Sequence, residues 1–288
     1  MLRFTIGNEV GSDIPSRRLD VSPRFTSSIS STPSARCTVS CLNSSIHGLP
    51  RDTPAVRPDF EWQVAGGSVM MDTLRPADEP GVLALIQKHE GPESAHLAAH
   101  WIKRQPKGIL VAREADVEET AMPAGVVIMV ALHQINADDA QVDPAVGKAW
   151  EYVQRHAPLR PGEVATFFRF WMARDTYQAV SPVQSLLFVT IVRHYLATPG
   201  LVYTIFPCSQ PDFWMGVLTY ADLQRVPQLD FRVSNEDYGI FGHNWRTVPP
   251  LAWLALLGER EIANAIVCLL YTSPSPRDRT RSRMPSSA

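Results

Sequence analysis

Apolar strand-like runs alternate with helical segments between residues 68 and 245, and this alternation narrows the choice of fold more than any other feature. The run 125–132 is apolar throughout, as expected of a strand that is buried on both faces. The segment Pro182–Ala197 lies between Ser181-Pro182 and Thr198-Pro199-Gly200, which are typical start and stop signals of a helix. The pattern predicts an α/β (α+β) fold, with a mixed central sheet flanked by helices.

The other elements follow from the same periodicities and from Pro and Gly boundaries. Strands are predicted at 68–74, 109–113, 125–132, 164–173, 201–206, 231–234 and 238–243. Helices are predicted around 82–86 and at 93–104, 143–153, 182–197, 212–226 and 251–267. The acidic stretch 114–123 between two strands indicates a hairpin loop.

The C-terminal stretch 268–288 is predicted to be foreign to the protein. Its first six residues back-translate as TGT CTC TTA TAC ACA TCT, which resembles a transposon-based library adapter read in frame. A natural, basic and disordered tail is the alternative. Because such segments are set aside before reasoning about fold, we expect the native chain to be cut off after a helix at 250–267 and a further C-terminal domain to be missing.

Residues 1–57 differ sharply from the rest of the chain in composition. They are rich in Ser, Thr, Pro and Arg and have no apolar periodicity, so they are predicted to be a disordered head. Cys37 and Cys41 have no second pair of ligands downstream, so a zinc site is not expected. Residues 58–267, between the head and the tail, form the body of the chain. Cys208 is the one cysteine of this body, so disulfides are not expected and a reducing cytoplasm is the default location.

The charge of the body excludes one class of partner. Setting aside the head (7 basic, 4 acidic residues) and the tail (4 basic, 1 acidic) leaves 16 basic and 24 acidic residues, a net charge of −8. Such a body repels phosphate backbones, so nucleic acid is not expected as a partner. The apolar runs are broken by Arg, His or Pro, so no membrane association is expected either.

The order of these elements resembles the GNAT-type N-acetyltransferase fold over about residues 68–245. In that family the fourth strand leads into a phosphate-binding turn of the form Gln/Arg-x-x-Gly-x-Gly/Ala. Here the corresponding stretch is Tyr177-Gln-Ala-Val-Ser-Pro-Val183, with Gln178 in register. Ser181 and Val183 replace the two small residues at which the family's backbone approaches the ligand. The resemblance implies an acyltransferase domain at 58–249, with acetyl-CoA inserted between the fourth and fifth strands.

The residues implied to hold the coenzyme also have an ordinary structural explanation. These residues are Gln178, Ser181, Val183, Gln184 and Ser185. A helix N-terminus binds pyrophosphate through free N–H groups, but the proline at 182 has none. Ser181 and Gln184 have the spacing of a capping box, which would use two further donors within the chain. A phosphate-binding turn and a self-capped helix both remain open.

Two residues are candidates for catalysis through the same resemblance. Tyr220 matches the tyrosine that protonates the leaving thiolate in many family members, and a core aromatic is the alternative. Glu163 at the start of the fourth strand is the candidate general base, and a solvated strand end is the alternative. His133, His194 and His243 have no metal-ligand spacing, so no metal is expected.

These observations suggest two functions. The first is transfer of an acetyl group from acetyl-CoA to an amine on a small molecule or peptide. The second is a catalytically inactive sensor or interaction module of the same fold within a larger multidomain protein, as the altered turn suggests.

Overall fold

The structure is a computed structural model, and it describes residues 69–114 and 122–272. These residues contain eight β-strands: β1 (Val69–Thr73), β2 (Ile109–Glu114), β3 (Gly125–Ala131), β4 (Val164–Ala173), β5 (Leu201–Cys208), β6 (Gln224–Arg225), β7 (Phe231–Val233) and β8 (Glu236–Asn244). The predicted disordered head lies outside the described residues, as do most of the predicted loop at 114–123 and residues 273–288 of the predicted foreign tail.

Six α-helices occur in the same described residues: α1 (Glu79–Arg104), α2 (Ala137–Val142), α3 (Pro144–His156), α4 (Pro182–Ala197), α5 (Pro211–Tyr220) and α6 (Pro250–Thr272). Two helices were expected where α1 lies, and α1 does contain a sharp kink. Gly91 has φ +86° there and Pro92 follows it, so the helical backbone is interrupted once although the element is continuous.

The strands form one mixed sheet in the spatial order β1-β2-β3-β4-β5-β8-β6, with β7 beside β8. β4 and β5 are parallel, and the other pairs are antiparallel. The crossover between β4 and β5 contains α4. This arrangement confirms the predicted fold class, an α/β (α+β) fold with a mixed central sheet flanked by helices.

Each face of the sheet has its own apolar core. Helices α1 and α3 cover one face and contribute Leu85 and Val153 to it. Helices α4, α5 and α6 cover the other face, through residues such as Ile191, Trp214 and Trp253. Burial of this apolar surface on both sides explains why β3, β4 and β5 are apolar along almost their whole length.

An irregularity in β4 changes which of its side chains reach each face. Phe170 pairs with Ile128 and Phe168 pairs with Met129, so Arg169 is an extra residue in β4, a β-bulge. Phe167 and Phe170 consequently both reach the core under α1 and α3, although strict alternation would place them on opposite faces.

The predicted helix 212–226 is too long. The helix α5 ends at Tyr220, and Asp222 has a positive φ of 62°. Residues beyond it pair with β8 instead, with the N–H of Val226 donating to the carbonyl of Ile240 at 2.8 Å. Among the described residues, no helix combines the length and apolar character required to cross a bilayer.

Candidate functional site

The parallel strands β4 and β5 stop pairing partway along their length. Pairing runs from Val164 with Leu201 to Phe167 with Ile205, whereas β4 continues to Ala173 and β5 to Cys208. The GNAT resemblance predicts a coenzyme between these two strands, so the space beyond Phe167 is the first candidate site.

Aromatic side chains occupy this part of the fold. The indole of Trp171 donates a hydrogen bond to the carbonyl of Pro207 at 2.7 Å, which ties β4 directly to β5. Its ring stacks on Phe206 at 4.9 Å between centroids and contacts Phe188 and Trp214 edge-on at 5.3 and 5.6 Å. We call Trp171, Phe188, Phe206 and Trp214 the aromatic plug, because it joins both strands to α4 and α5.

Gln178, the predicted phosphate-turn residue, forms a second bridge between the two strands. Its Oε1 accepts hydrogen bonds from the N–H and hydroxyl of Ser209, at 3.0 and 3.2 Å. Its Nε2 donates to the carbonyl of Trp171 at 3.4 Å. Only 4 % of Gln178 is exposed, so its amide is used within the protein.

The N-terminus of α4 is capped from within the chain. Ser181 Oγ accepts the N–H of Gln184 at 3.1 Å and also the hydroxyl of Thr176 at 2.9 Å. One half of the possible capping box forms, since the side chain of Gln184 does not return to Ser181. Its Oε1 instead accepts the Ser185 hydroxyl at 3.3 Å, and its buried Nε2 has no hydrogen-bond partner among the described residues. Val183 packs against Gly125, where an added Cβ would lie 2.9 Å from Val183 Cγ1.

The candidate base, Glu163, lies at the other end of β4 from this helix terminus. Ten residues of strand separate the two ends, which is roughly 30 Å. Glu163 forms an ion pair with Arg246 and accepts the N–H of Arg160 at 2.6 Å. The hydrogen bond from Arg246, followed by that from Arg160, lowers the pKa of Glu163 below its usual value. The structure therefore does not bring Glu163 together with the predicted coenzyme residues.

Tyr220, the candidate acid, lies at the C-terminal end of α5. The guanidinium carbon of Arg260 is 5.9 Å from the centroid of its ring, and Arg260 also donates to the Tyr220 carbonyl. Its ring is partly buried against the core that contains the aromatic plug. These contacts attach the end of α5 to α6.

A buried polar site that the sequence analysis missed lies on the opposite face of β4. At its centre, the bulge residue Arg169 is 2 % exposed and its Nε donates to Asp143 Oδ2 at 2.8 Å. The indole of Trp101 donates to the same oxygen at 3.0 Å. Asp143 precedes α3 as predicted, but its side chain makes no cap hydrogen bond and binds the arginine instead.

Four more polar groups, three of them buried, continue this site toward the kink of α1. The hydroxyl of Tyr177 lies 3.0 Å from Glu90 Oε1 and 3.0 Å from the hydroxyl of Tyr238. Ser94 also faces the Glu90 carboxyl, without a hydrogen bond of good geometry. Burial raises the pKa of Glu90, against the opposing effect of nearby Arg169, and burial also raises the pKa values of both tyrosines. We call Glu90, Ser94, Asp143, Arg169, Tyr177 and Tyr238 the Arg169 cluster.

A cleft of about 440 Å³ lies near the other end of β4, between the end of α1 and α4. His194 lines it, with Nε2 3.0 Å from the Thr166 hydroxyl and Nδ1 3.2 Å from the Thr198 hydroxyl. Burial lowers the pKa of His194 to about 4, so the ring is neutral at pH 7. Within the described ranges, no group of three or more His, Cys, Asp or Glu side chains is arranged to hold a metal ion.

Comparisons with known proteins give matches only at the level of three-dimensional structure. No known protein family and no curated protein matches the sequence. The NatC complex bound to Gag peptide and CoA matches over 62 % of this chain and 98 % of its own, at 9 % identity and a TM-score of 0.40. Arabidopsis thaliana NAA60 with acetyl-CoA matches over 61 % and 99 %, at 10 % identity and a TM-score of 0.41. An agmatine N-acetyltransferase mutant in apo form matches over 62 % and 99 %, at 8 % identity and a TM-score of 0.40. Similarity of this degree does not indicate an activity.

Proposed function

We propose that this chain uses its GNAT-like fold as a non-catalytic sensor or interaction module. The observation that carries the proposal is the aromatic plug, since Trp171 bonds β4 to β5 where a coenzyme would have to separate them. The plug is also well packed, with Trp171 fully buried and in ring contact with both α4 and α5. Opening it would expose two large aromatic surfaces and break a buried hydrogen bond, which opposes binding by several kcal/mol.

The N-terminus of α4 supports the same proposal. Pyrophosphate binding at a helix terminus needs several unpaired N–H groups. In the first turn of α4, Pro182 has no N–H, Gln184 donates to Ser181 Oγ and Ser185 donates to the Ser181 carbonyl at 2.9 Å. Within that turn, the N–H of Val183 is then the backbone donor left for a ligand. A single amide is a poor match for a doubly charged diphosphate.

Transfer of an acetyl group from acetyl-CoA to a small-molecule or peptide amine is the second candidate. It is favoured by the early end of β4–β5 pairing and by the bulge at Arg169. In this candidate Tyr220 would protonate the thiolate and Glu163 would accept the amine proton. The coenzyme would contact the predicted set, which is Gln178, Ser181, Val183, Gln184 and Ser185. For acetyl transfer to occur, the aromatic plug would have to move.

A thermal unfolding scan of the full chain with acetyl-CoA separates the two candidates. A ligand that binds only the folded state stabilises it by about 2.7 kcal/mol at a concentration of 100 Kd. We expect no change in Tm at about 1 mM acetyl-CoA relative to an ionic-strength-matched salt control. A rise of several degrees, together with release of free CoA thiol in the presence of amines, would contradict the proposal.

Tyr220→Phe provides the matched control for any activity that is found. The substitution keeps the ring that packs beside Arg260 and removes the phenolic acid. Loss of turnover with an unchanged Tm would establish Tyr220 as the acid of the second candidate. The domain boundaries at residues 58 and 249 and the cytoplasmic location remain predictions.

A further inference from the structure

We propose that the Arg169 cluster binds a small carboxylate, with the terminal nitrogens of Arg169 as its main donors. The cluster lies on the face of β4 opposite the aromatic plug, so this inference does not depend on whether the chain binds acetyl-CoA. Its six residues come from α1, β4, β8 and the segments that lead into α3 and α4.

The first argument is the number of unpaired polar atoms in this one place. Arg169 Nη1 and Nη2, Glu90 Oε2, Ser94 Oγ and Asp143 Oδ1 are all buried and lack a hydrogen bond of good geometry within the described part of the chain, although Ser94 faces the Glu90 carboxyl. Buried polar groups in proteins are nearly always paired, and a buried arginine that leaves both terminal nitrogens unpaired is strongly disfavoured. Their concentration around Arg169 indicates a bound molecule that completes the hydrogen bonds.

The second argument is that the unpaired atoms are mostly donors. The two terminal nitrogens of Arg169 carry four N–H bonds, and Ser94 adds a hydroxyl. Glu90 Oε2 and Asp143 Oδ1 are the two acceptors among these five atoms, and they are fewer than the N–H bonds that Arg169 leaves unpaired. A surplus of donors around a planar guanidinium matches a carboxylate, which offers two oxygens in the same plane.

Aromatic rings flank the guanidinium of Arg169. The guanidinium carbon of Arg169 lies 4.4 Å from the centroid of Phe170 and 4.9 Å from that of Phe231. Phe231 in turn stacks on Tyr238 at 4.9 Å. These rings flank the guanidinium, so a ligand on its N–H edge would contact apolar groups as well as the polar groups of the cluster. A short monocarboxylate with a small apolar end fits this combination better than an inorganic ion does.

The cluster is separated from solvent by little more than one layer of residues. Tyr177, Phe231 and Gly91 are each partly exposed, although the residues they cover are buried. Gly91 is also the kink of α1 and adjoins Glu90. Entry of a short ligand would require local movement at the kink, between α1 and β7.

Sodium acetate and sodium propionate are the probes, and the full chain is the sample. We expect a saturable rise in Tm at about 50 mM of either probe relative to equal sodium chloride, and no rise with acetamide, the neutral analogue. Arg169→Met should abolish the rise. Ser94→Ala, a smaller change that is retained if Arg169→Met does not fold, should weaken binding roughly tenfold. Thr73→Ala, at an exposed position on β1, should bind as the wild type does.

A crystal structure soaked with acetate gives the direct readout. Acetate within hydrogen-bond distance of both Nη atoms of Arg169 supports the inference, and water alone at those atoms overturns it. Equal shifts with acetate and acetamide, or no shift with any probe, also overturn it. A rise in Tm with acetyl-CoA together with release of CoA thiol would contradict the proposed function and leave this inference intact, since the two sites lie on opposite faces of β4.

Discussion

The buried His194 should make the free energy of unfolding depend on pH, and His194→Gln should remove that dependence. The folded protein holds the pKa of His194 at about 4, whereas the ordinary value is 6.5. Between these values the unfolded chain binds a proton that the folded chain does not, so stability falls as pH decreases from 6.5 toward 4. From pH 7 to pH 4.5 the linkage relation gives a loss of about 2.5 kcal/mol, which partial exposure of the ring reduces to about 2 kcal/mol.

Urea unfolding of the wild type and of His194→Gln at pH 7 and pH 4.5 measures this contribution. A glutamine can keep a hydrogen bond to the Thr166 hydroxyl, and any constant effect of the substitution cancels in the difference between the two pH values. His96→Gln, at an exposed position of α1, is the matched control and should behave as the wild type does. If His194→Gln loses as much stability on acidification as the wild type does, or if NMR titration places the pKa of His194 near 6.5, the reasoning is refuted.

Two further substitutions test other parts of the structure. Gly91→Ala should destabilise the fold by about 1–3 kcal/mol in urea unfolding, because φ +86° is strained for alanine. Gly216→Ala, in a helix with open space at the added Cβ, is the control and should be neutral or slightly stabilising. Equal effects of the two substitutions would argue against the kink. Glu90→Gln should stabilise the protein at pH 8 relative to the wild type, because a carboxyl with a raised pKa loses folded-state stability as pH rises above 4.5. If the free energy of unfolding of the variant differs from that of the wild type by the same amount at pH 5 and at pH 8, the pKa of Glu90 is not raised.

Local signals were sufficient to predict most of the secondary structure. The bounds of β4 and α4 agree with prediction to the residue, because Pro161-Gly162 and Ser181-Pro182 are sequence-local start signals. The end of α5 was not predictable in this way. Residues after Tyr220 have helix-compatible apolar spacing, but their pairing with β8 depends on residues far along the chain.

The candidate sites were harder to predict for the same reason. The aromatic plug combines Trp171 and Phe206 from neighbouring strands with residues of two helices, and such contacts leave no local pattern. Arg169 is the one member of its cluster that the sequence marks, as a charge within an apolar strand. Glu90 and Asp143 are distant in sequence from it, and ordinary helix-terminal acids have the same local context as Asp143.

The placement of β8 between β5 and β6 has a consequence for how the chain acquires its structure. The ribosome releases β6 and β7 before β8, yet both depend on β8 for their pairing in the sheet. A nascent chain stalled before residue 236 therefore has an open edge along β5, and that edge is a hazard for association with other chains. This half of the sheet can close only after β8 has been synthesised, so chaperone binding should be greatest in the interval between emergence of β5 and emergence of β8.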